Sequence, residues 1–158
     1  MRVIVCGSRG WSDGDVIART LSALPADAVI VHGAGRGADT LAEEATRELG
    51  LSAEPHPANW GRFGRSAGPR RNAEMAAAGA DLCLAFRLDG PSPGTDDMIR
   101  KCRSAGIPVK VHTARRVSDR TCSPGTHRGV RQPDGSLRCR ACGASSRAVW
   151  RQVHLMPA

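Results

Sequence analysis

The 158-residue chain has no tyrosine, only two phenylalanines and three tryptophans, and no long hydrophobic run. No apolar stretch approaches the roughly 20 residues that a membrane-spanning helix needs, so the pattern excludes such a span. The opening MRVIVCGSRG lacks the long apolar region and small-residue cleavage site of a secretory signal. A soluble, cytoplasmic protein without membrane partners is therefore expected. The six cysteines are too few and too uneven for a disulfide framework: Cys6, Cys83 and Cys102 stand alone, while Cys122, Cys139 and Cys142 gather late. No Cys-His or Ser-His-Asp spacing stands out, and no internal repeat or low-complexity run is present.

Positive charge is abundant but unevenly spread. The formal net charge is +8, yet residues 1–112 hold 14 Lys and Arg against 13 Asp and Glu. Residues 113–158 hold nine arginines against two aspartates, a balance of +7. A nucleic-acid argument from charge therefore concerns the tail alone.

Residues 1–112 alternate apolar runs with helical periods. Strands are predicted at 2–6, 28–31, 52–55, 82–86 and 109–111, the most apolar of them continuous and β-branched, as in a parallel sheet covered on both faces. The first helix takes Asp13 or Asp15 as cap, turns Val16, Ile17, Leu21 and Leu24 to one face, and ends before Pro25. The second spans 38–49 with Leu41, Ala42, Ala45 and Leu49 inward and Gly50 beyond its end. A third spans 69–78, and a fourth starts near Thr95, buries Met98, Ile99, Cys102 and Ala105, and stops at Gly106-Ile107-Pro108. This order predicts an α/β, Rossmann-like doubly wound parallel sheet of about five strands, with right-handed crossovers placing two helices on each face. After His112 the helical period fails, and Pro133-Asp134-Gly135 offers a hairpin turn. Two domains are expected, 1–112 and 113–158.

In doubly wound sheets, ligands bind beyond the carboxyl ends of the strands, where glycine-rich turns expose backbone N–H groups to anions. Three such turns occur. The first carries Gly7, Ser8 and Arg9; the second carries Gly33, Gly35, Arg36, Gly37 and then Asp39; the third carries Gly94 and Thr95. Asp39 reads either as a first-turn helix acid or as a carboxylate that binds ribose hydroxyls or orients Arg36. Thr95 reads as an N-cap, with Asp96 and Asp97 in the first turn; its hydroxyl also suits phosphate, and Asp97 suits a general base or a ribose contact.

Residues 60–72, WGRFGRSAGPRRN, cluster Arg62, Arg65, Arg70 and Arg71 around Trp60 and Phe63. The aromatics read as cover for a sheet edge or as stacking surfaces for a base. Arg70 and Arg71, with Asn72, open a helix at the ligand end of the sheet, where unpaired cations oppose the dipole and an anion relieves the cost. The lone Cys6, Cys83 and Cys102 read as small core hydrophobes. His32 reads as a ligand contact or as a buried, hydrogen-bonded histidine.

The segments GSRGW, VIVHGAGRGADTLAEEA, AGPRRNAEMA and SPGTDDMIRKCRSAGIPV, together and in this order, resemble the SLOG superfamily of Rossmann-like nucleotide-binding proteins. The likeness covers residues 1–112 and is nearest to the YspA-like, YpsA-related SLOG branch of bacteria and their phages. It implies a nucleotide-derived small molecule at the glycine-rich strand ends, and a homodimer. More distantly, Arg71-Asn72-Ala73-Glu74-Met75 resembles the RKxEM motif of the LONELY GUY phosphoribohydrolases, which implies an N-glycoside hydrolase acting on a nucleoside monophosphate. Arg71 then matches their functional arginine. Their PGGxGTxxE motif is matched only in part by residues 93–98, where Met98 stands in place of the glutamate. A thioether supplies no charge to an oxocarbenium-like transition state, and Asp97, the candidate substitute, lies about 100° around the helix. Binding is therefore the leading reading, with hydrolysis through Arg71 and Asp97 or Asp39 as the alternative.

In the tail, Cys122, His127, Cys139 and Cys142 have the number, type and spacing of a tetrahedral zinc site. His112 and His154 are alternatives to His127 as the fourth ligand. So little apolar surface is available there that folding needs the metal, which predicts a zinc-ribbon-like module with structural Zn and no redox cofactor. The tail arginines suit nucleic-acid phosphates, although no aromatic residue lies between Arg115 and Arg147.

Overall fold

The computed structural model describes residues 1–115 and the backbone of 129–131 and 137–139. The chain divides into two compact units, Met1–Arg116 and Val117–Ala158. In the first unit the order is β1 (Arg2–Gly7), α1 (Gly14–Ser22), β2 (Val29–His32), α2 (Ala38–Glu48), β3 (Ser52–Pro55), the single-turn α3 (Trp60–Phe63), α4 (Ala67–Ala77), β4 (Leu82–Leu88), α5 (Pro93–Ser104) and β5 (Val109–Ala114). The five strands form one parallel sheet in the order β3-β2-β1-β4-β5, the doubly wound arrangement that the sequence predicts.

Alternation along the strands separates two cores. Val3, Val5, Ile30, Leu84 and Phe86 face α1 and α2 through Ile17, Leu21, Ala38, Ala42 and Ala45. Ile4, Val31 and Cys83 face α4 and α5 through Met75, Met98 and Cys102. Trp11 closes the first core edge-to-face on Phe86, with centroids 5.4 Å apart. Each fully buried Leu or Ile in these layers contributes about 1.5–3 kcal/mol. Asp13 caps α1 by accepting the Val16 amide at 3.2 Å. Among the described residues no helix is long and apolar enough to cross a membrane.

Several local expectations change. Helix α5 begins two residues before Thr95: Ser92 is the N-cap and Pro93 the first helical residue, which suits a ring that needs no amide partner there. Thr95 is buried inside the first turn instead of capping it. Leu49 closes α2 at 40% exposure, and Ala105 closes α5 exposed, so neither joins the core. Strand β5 extends to Ala114, past the expected boundary at 113, because Leu88 pairs with Ala114 and the Ala114 carbonyl accepts the Asp89 amide at 2.9 Å. In the second unit, β6 (Gly129–Arg131) and β7 (Leu137–Cys139) pair antiparallel, flanking the predicted turn sequence.

At one sheet edge, Arg2 on β1 reaches across β2 to Glu54 on β3 (Nη2 to Oε1, 2.7 Å), and the His56 ring meets the same carboxylate at 2.6 Å. Hydrogen bonds from Arg2 and then His56 pull the Glu54 carboxyl from its ordinary 4.5 to about 2. A depressed carboxyl stabilises the fold above its unfolded value and loses that contribution as pH falls through the folded one. The wild-type melting temperature is therefore expected to fall between pH 4.5 and about 2 by more than that of Glu54→Gln. Parallel melting curves for the two proteins across that window contradict this account.

Candidate functional site

The loops after β1, β2, β3 and β4 surround a cleft of about 1000 Å³, lined by Gly7, Ser8, Arg9, Gly33, Gly35, Arg36, Asp39, Arg71, Asn72, Gly94 and Thr95, and also by Trp60, Arg65 and Asp97. Arg71, from α4, organises its centre. Its Nη1 donates to the Gly33 carbonyl and, at 2.8 Å, to the His56 carbonyl, while Nε donates to Asn72 Oδ1 at 3.0 Å. One guanidinium thus ties α4 to the loops after β2 and β3. Its Nη2 makes no hydrogen bond among the described residues. Burial lowers its pKa from the ordinary value, and the nearby Asp39 opposes that shift.

Gly33 is a glycine for a reason that its motif does not reveal: a Cβ there would lie 1.8 Å from Arg71 Nη1. Gly7 and Gly37 likewise serve packing. A Cβ on Gly7 would meet Ala38 Cβ at 2.4 Å, and Gly37, with φ +79°, sits against the Arg9 and Ser8 carbonyls. The N-terminus of α2 therefore seats directly on the end of β1. Ser8 is a structural bridge as well: its Oγ accepts the Leu88 amide at 2.9 Å and contacts Ser92 Oγ at 2.9 Å, and Ser92 donates to Thr95 Oγ1 at 3.0 Å. These hydroxyls join the loop after β1 to the start of α5.

Both carboxylates of the cleft are occupied. Asp39 is buried and accepts the Gly35 amide at 3.1 Å; burial raises its pKa, against the pull of the Gly35 amide and Arg71. It shapes the glycine turn and makes no ion pair with Arg36. Asp97 accepts from Asn72 at 3.0 Å, from Lys101 at 2.6 Å and from Arg100. Desolvation works to raise its pKa, but the Lys101 and Asn72 bonds prevail and hold it below the ordinary carboxyl value. Such a carboxylate is a poor proton acceptor. Met98 is 1% exposed and packs in the α4–α5 core.

Arg9, Arg36 and Arg65 line the mouth, exposed, with no ion pair among the described residues. Arg70 does not join them; its guanidinium lies 4.5 Å over the Phe63 ring, and Arg62 lies 5.0 Å from the same centroid. His32 is fully buried: its Nδ1 accepts the Ala34 amide at 3.3 Å, and burial lowers its pKa. Cys83 and Cys102 are buried core thiols as expected, whereas Cys6, on the same strand face, is half-buried and lines the cleft. The structure places Trp60 and Arg65 of the arginine-rich segment on the cleft; Cys6, which reads as a core hydrophobe, is the lining residue that sequence reasoning missed, and only its position at the end of β1 signalled it. Among the described residues no group of three His, Cys, Asp or Glu stands close enough to hold a metal. The predicted zinc ligands Cys122, His127 and Cys142, and the side chain of Cys139, lie outside the described residues.

A family model for the YspA, cpYpsA-related SLOG family matches residues 1–63. The Gene 61 protein of Mycobacterium phage D29 is 44% identical over 117 residues, covering 68% of this chain and 93% of that protein. Among solved structures, DNA processing protein A from Streptococcus pneumoniae aligns at 16% identity and a TM-score of 0.47, over 69% of this chain and 58% of that one. The C-terminal domain of the PF1911 hydrogenase from Pyrococcus furiosus aligns at 18% identity and a TM-score of 0.41, over 70% of this chain and 89% of that one.

Gly33→Ala is expected to dislodge the Arg71 guanidinium and lower stability by about 1–3 kcal/mol, the cost of buried polar groups left unpaired. Gly94→Ala, where a Cβ meets nothing within 4 Å, is expected to shift stability by no more than about 0.5 kcal/mol. Urea unfolding of both variants checks this, and equal midpoints contradict the clamp.

Proposed function

Because this chain belongs to the YspA, cpYpsA-related SLOG family, we propose that it binds a nucleotide or nucleotide derivative at the glycine-rich strand ends, as a sensor or sequestering protein. The observation that carries this reading is the charge inventory of the cleft. Arg71 is pinned with one guanidinium nitrogen open, Arg9, Arg36 and Arg65 stand at the mouth without ion pairs, and the two carboxylates are already satisfied. A concave, cationic site at this position of a doubly wound sheet suits a phosphate-bearing ligand. Hydrolysis of an N-glycosidic bond ranks second, since Met98 is buried in the core and Asp97 is held by Asn72, Lys101 and Arg100.

Calorimetric titration with nucleoside mono- and diphosphates tests the reading. Arg36→Ala, which removes no hydrogen bond or ion pair among the described residues, is expected to weaken binding about tenfold to a hundredfold, as loss of one charge-assisted hydrogen bond of about 1.5–3 kcal/mol. Arg36→Ala combined with Arg71→Ala is expected to abolish binding. Wild-type affinity in both variants refutes the site, and release of free base from a monophosphate promotes the hydrolase reading.

For the second unit the proposal is one structural zinc held by Cys122, His127, Cys139 and Cys142. Its support is the donor set together with a two-stranded antiparallel ribbon whose second strand ends on Cys139, three residues before Cys142. Elemental mass spectrometry of the natively purified chain is expected to find one zinc per chain, lost in Cys139→Ser/Cys142→Ser. A metal-free native chain overturns the proposal.

A further inference from the structure

Trp60 is the one large aromatic of the cleft wall that the fold leaves unused. It lies on α3, lines the cleft and is 52% exposed. The other aromatic of that segment, Phe63, is covered by the guanidinium groups of Arg62 and Arg70. Trp60 has no ring partner and no cation over it among the described residues.

Its position is nevertheless built. Asn59 caps the turn by accepting the Arg62 amide at 3.0 Å, and the Trp60 amide donates to the Ala58 carbonyl at 3.1 Å. The far edge of the indole rests on Gly68: a Cβ there would lie 3.3 Å from Cη2. A missing side chain thus makes room for the ring at the edge of the cleft, beside Pro57 and Ala58. An apolar plane placed this way, next to a row of cationic groups, matches a ligand with one flat aromatic end and one anionic end.

We infer that Trp60 is the stacking platform for the nucleobase, with the ligand's phosphate directed toward Arg36 and Arg71. This rests on the nucleotide reading above and adds an orientation and a requirement: the site recognises a base, not phosphate alone. Purines, with the larger π surface, gain most.

The full chain is titrated with AMP, GMP, CMP and UMP, and with ribose 5-phosphate as the base-less control, by calorimetry and tryptophan fluorescence. AMP and GMP are expected to bind tightest and to quench the emission, with ribose 5-phosphate about 5- to 100-fold weaker, the range that stacking on an aromatic side chain accounts for. Trp60→Ala is expected to lose that factor for AMP and leave ribose 5-phosphate unchanged. Trp60→Phe restores most of the AMP affinity without the quench. Because Trp60 is exposed, both variants are expected to melt with the wild type, and circular dichroism checks this. Undiminished AMP affinity in Trp60→Ala, or equal affinity of the wild type for AMP and ribose 5-phosphate, overturns the platform while leaving the phosphate site standing. Failure of every probe to bind the wild type overturns both.

Discussion

The geometry of the cleft depends on a single half-buried cation. Arg71 lies between the carbonyls of Gly33 and His56, and hydrogen bonds to a charged group of this kind contribute about 1.5–3 kcal/mol each. This guanidinium holds the loops after β2 and β3 against α4. From its neighbour Asn72 the network continues to Asp97, then to Lys101 and back to the Pro69 carbonyl at the start of α4, so that α4 and α5 are laced at their cleft ends. The lacing has an electrostatic result. It pairs the Asp97 carboxylate with Lys101 and Arg100, so that the arginines at the mouth dominate the field of the cleft.

The opposite wall is set by close approach. Gly7 lets α2 sit directly on β1, and Gly37 lets the chain pass over the Arg9 and Ser8 carbonyls. The Ser8, Ser92 and Thr95 hydroxyls then bind the first and last glycine turns to each other. Two of the turns that face the cleft are thereby parts of one scaffold, so that little ordering of these loops would remain to be done on binding of any ligand there.

Much of the fold was legible in the chain. The β-branched runs RVIVC and AVIV and the apolar LCLAF marked the inner strands because a strand buried on both faces has no polar side to show. The place of the cleft followed from glycine turns at strand ends. The roles of individual residues did not follow. Gly7, Gly33 and Gly37 read as exposed amides, whereas each exists because a side chain there would strike Ala38, Arg71 or the Arg9 backbone, and such collisions join positions far apart in sequence. Adjacent Arg70 and Arg71 look alike on paper, but about 100° of helical rotation separates them: one meets Phe63 and the other enters the cleft. Ser92 displaced Thr95 as helix cap because Pro93 already supplies the first helical residue.

Gly33 and Arg71 are 38 positions apart, yet the space that one side chain fills is the space that the other leaves empty. A Cβ at position 33 and this placement of the Arg71 guanidinium exclude each other, so a chain with a larger residue there would have to carry its guanidinium elsewhere. Whether the two change together across relatives therefore marks which of them retain this architecture of the cleft, independently of overall sequence identity.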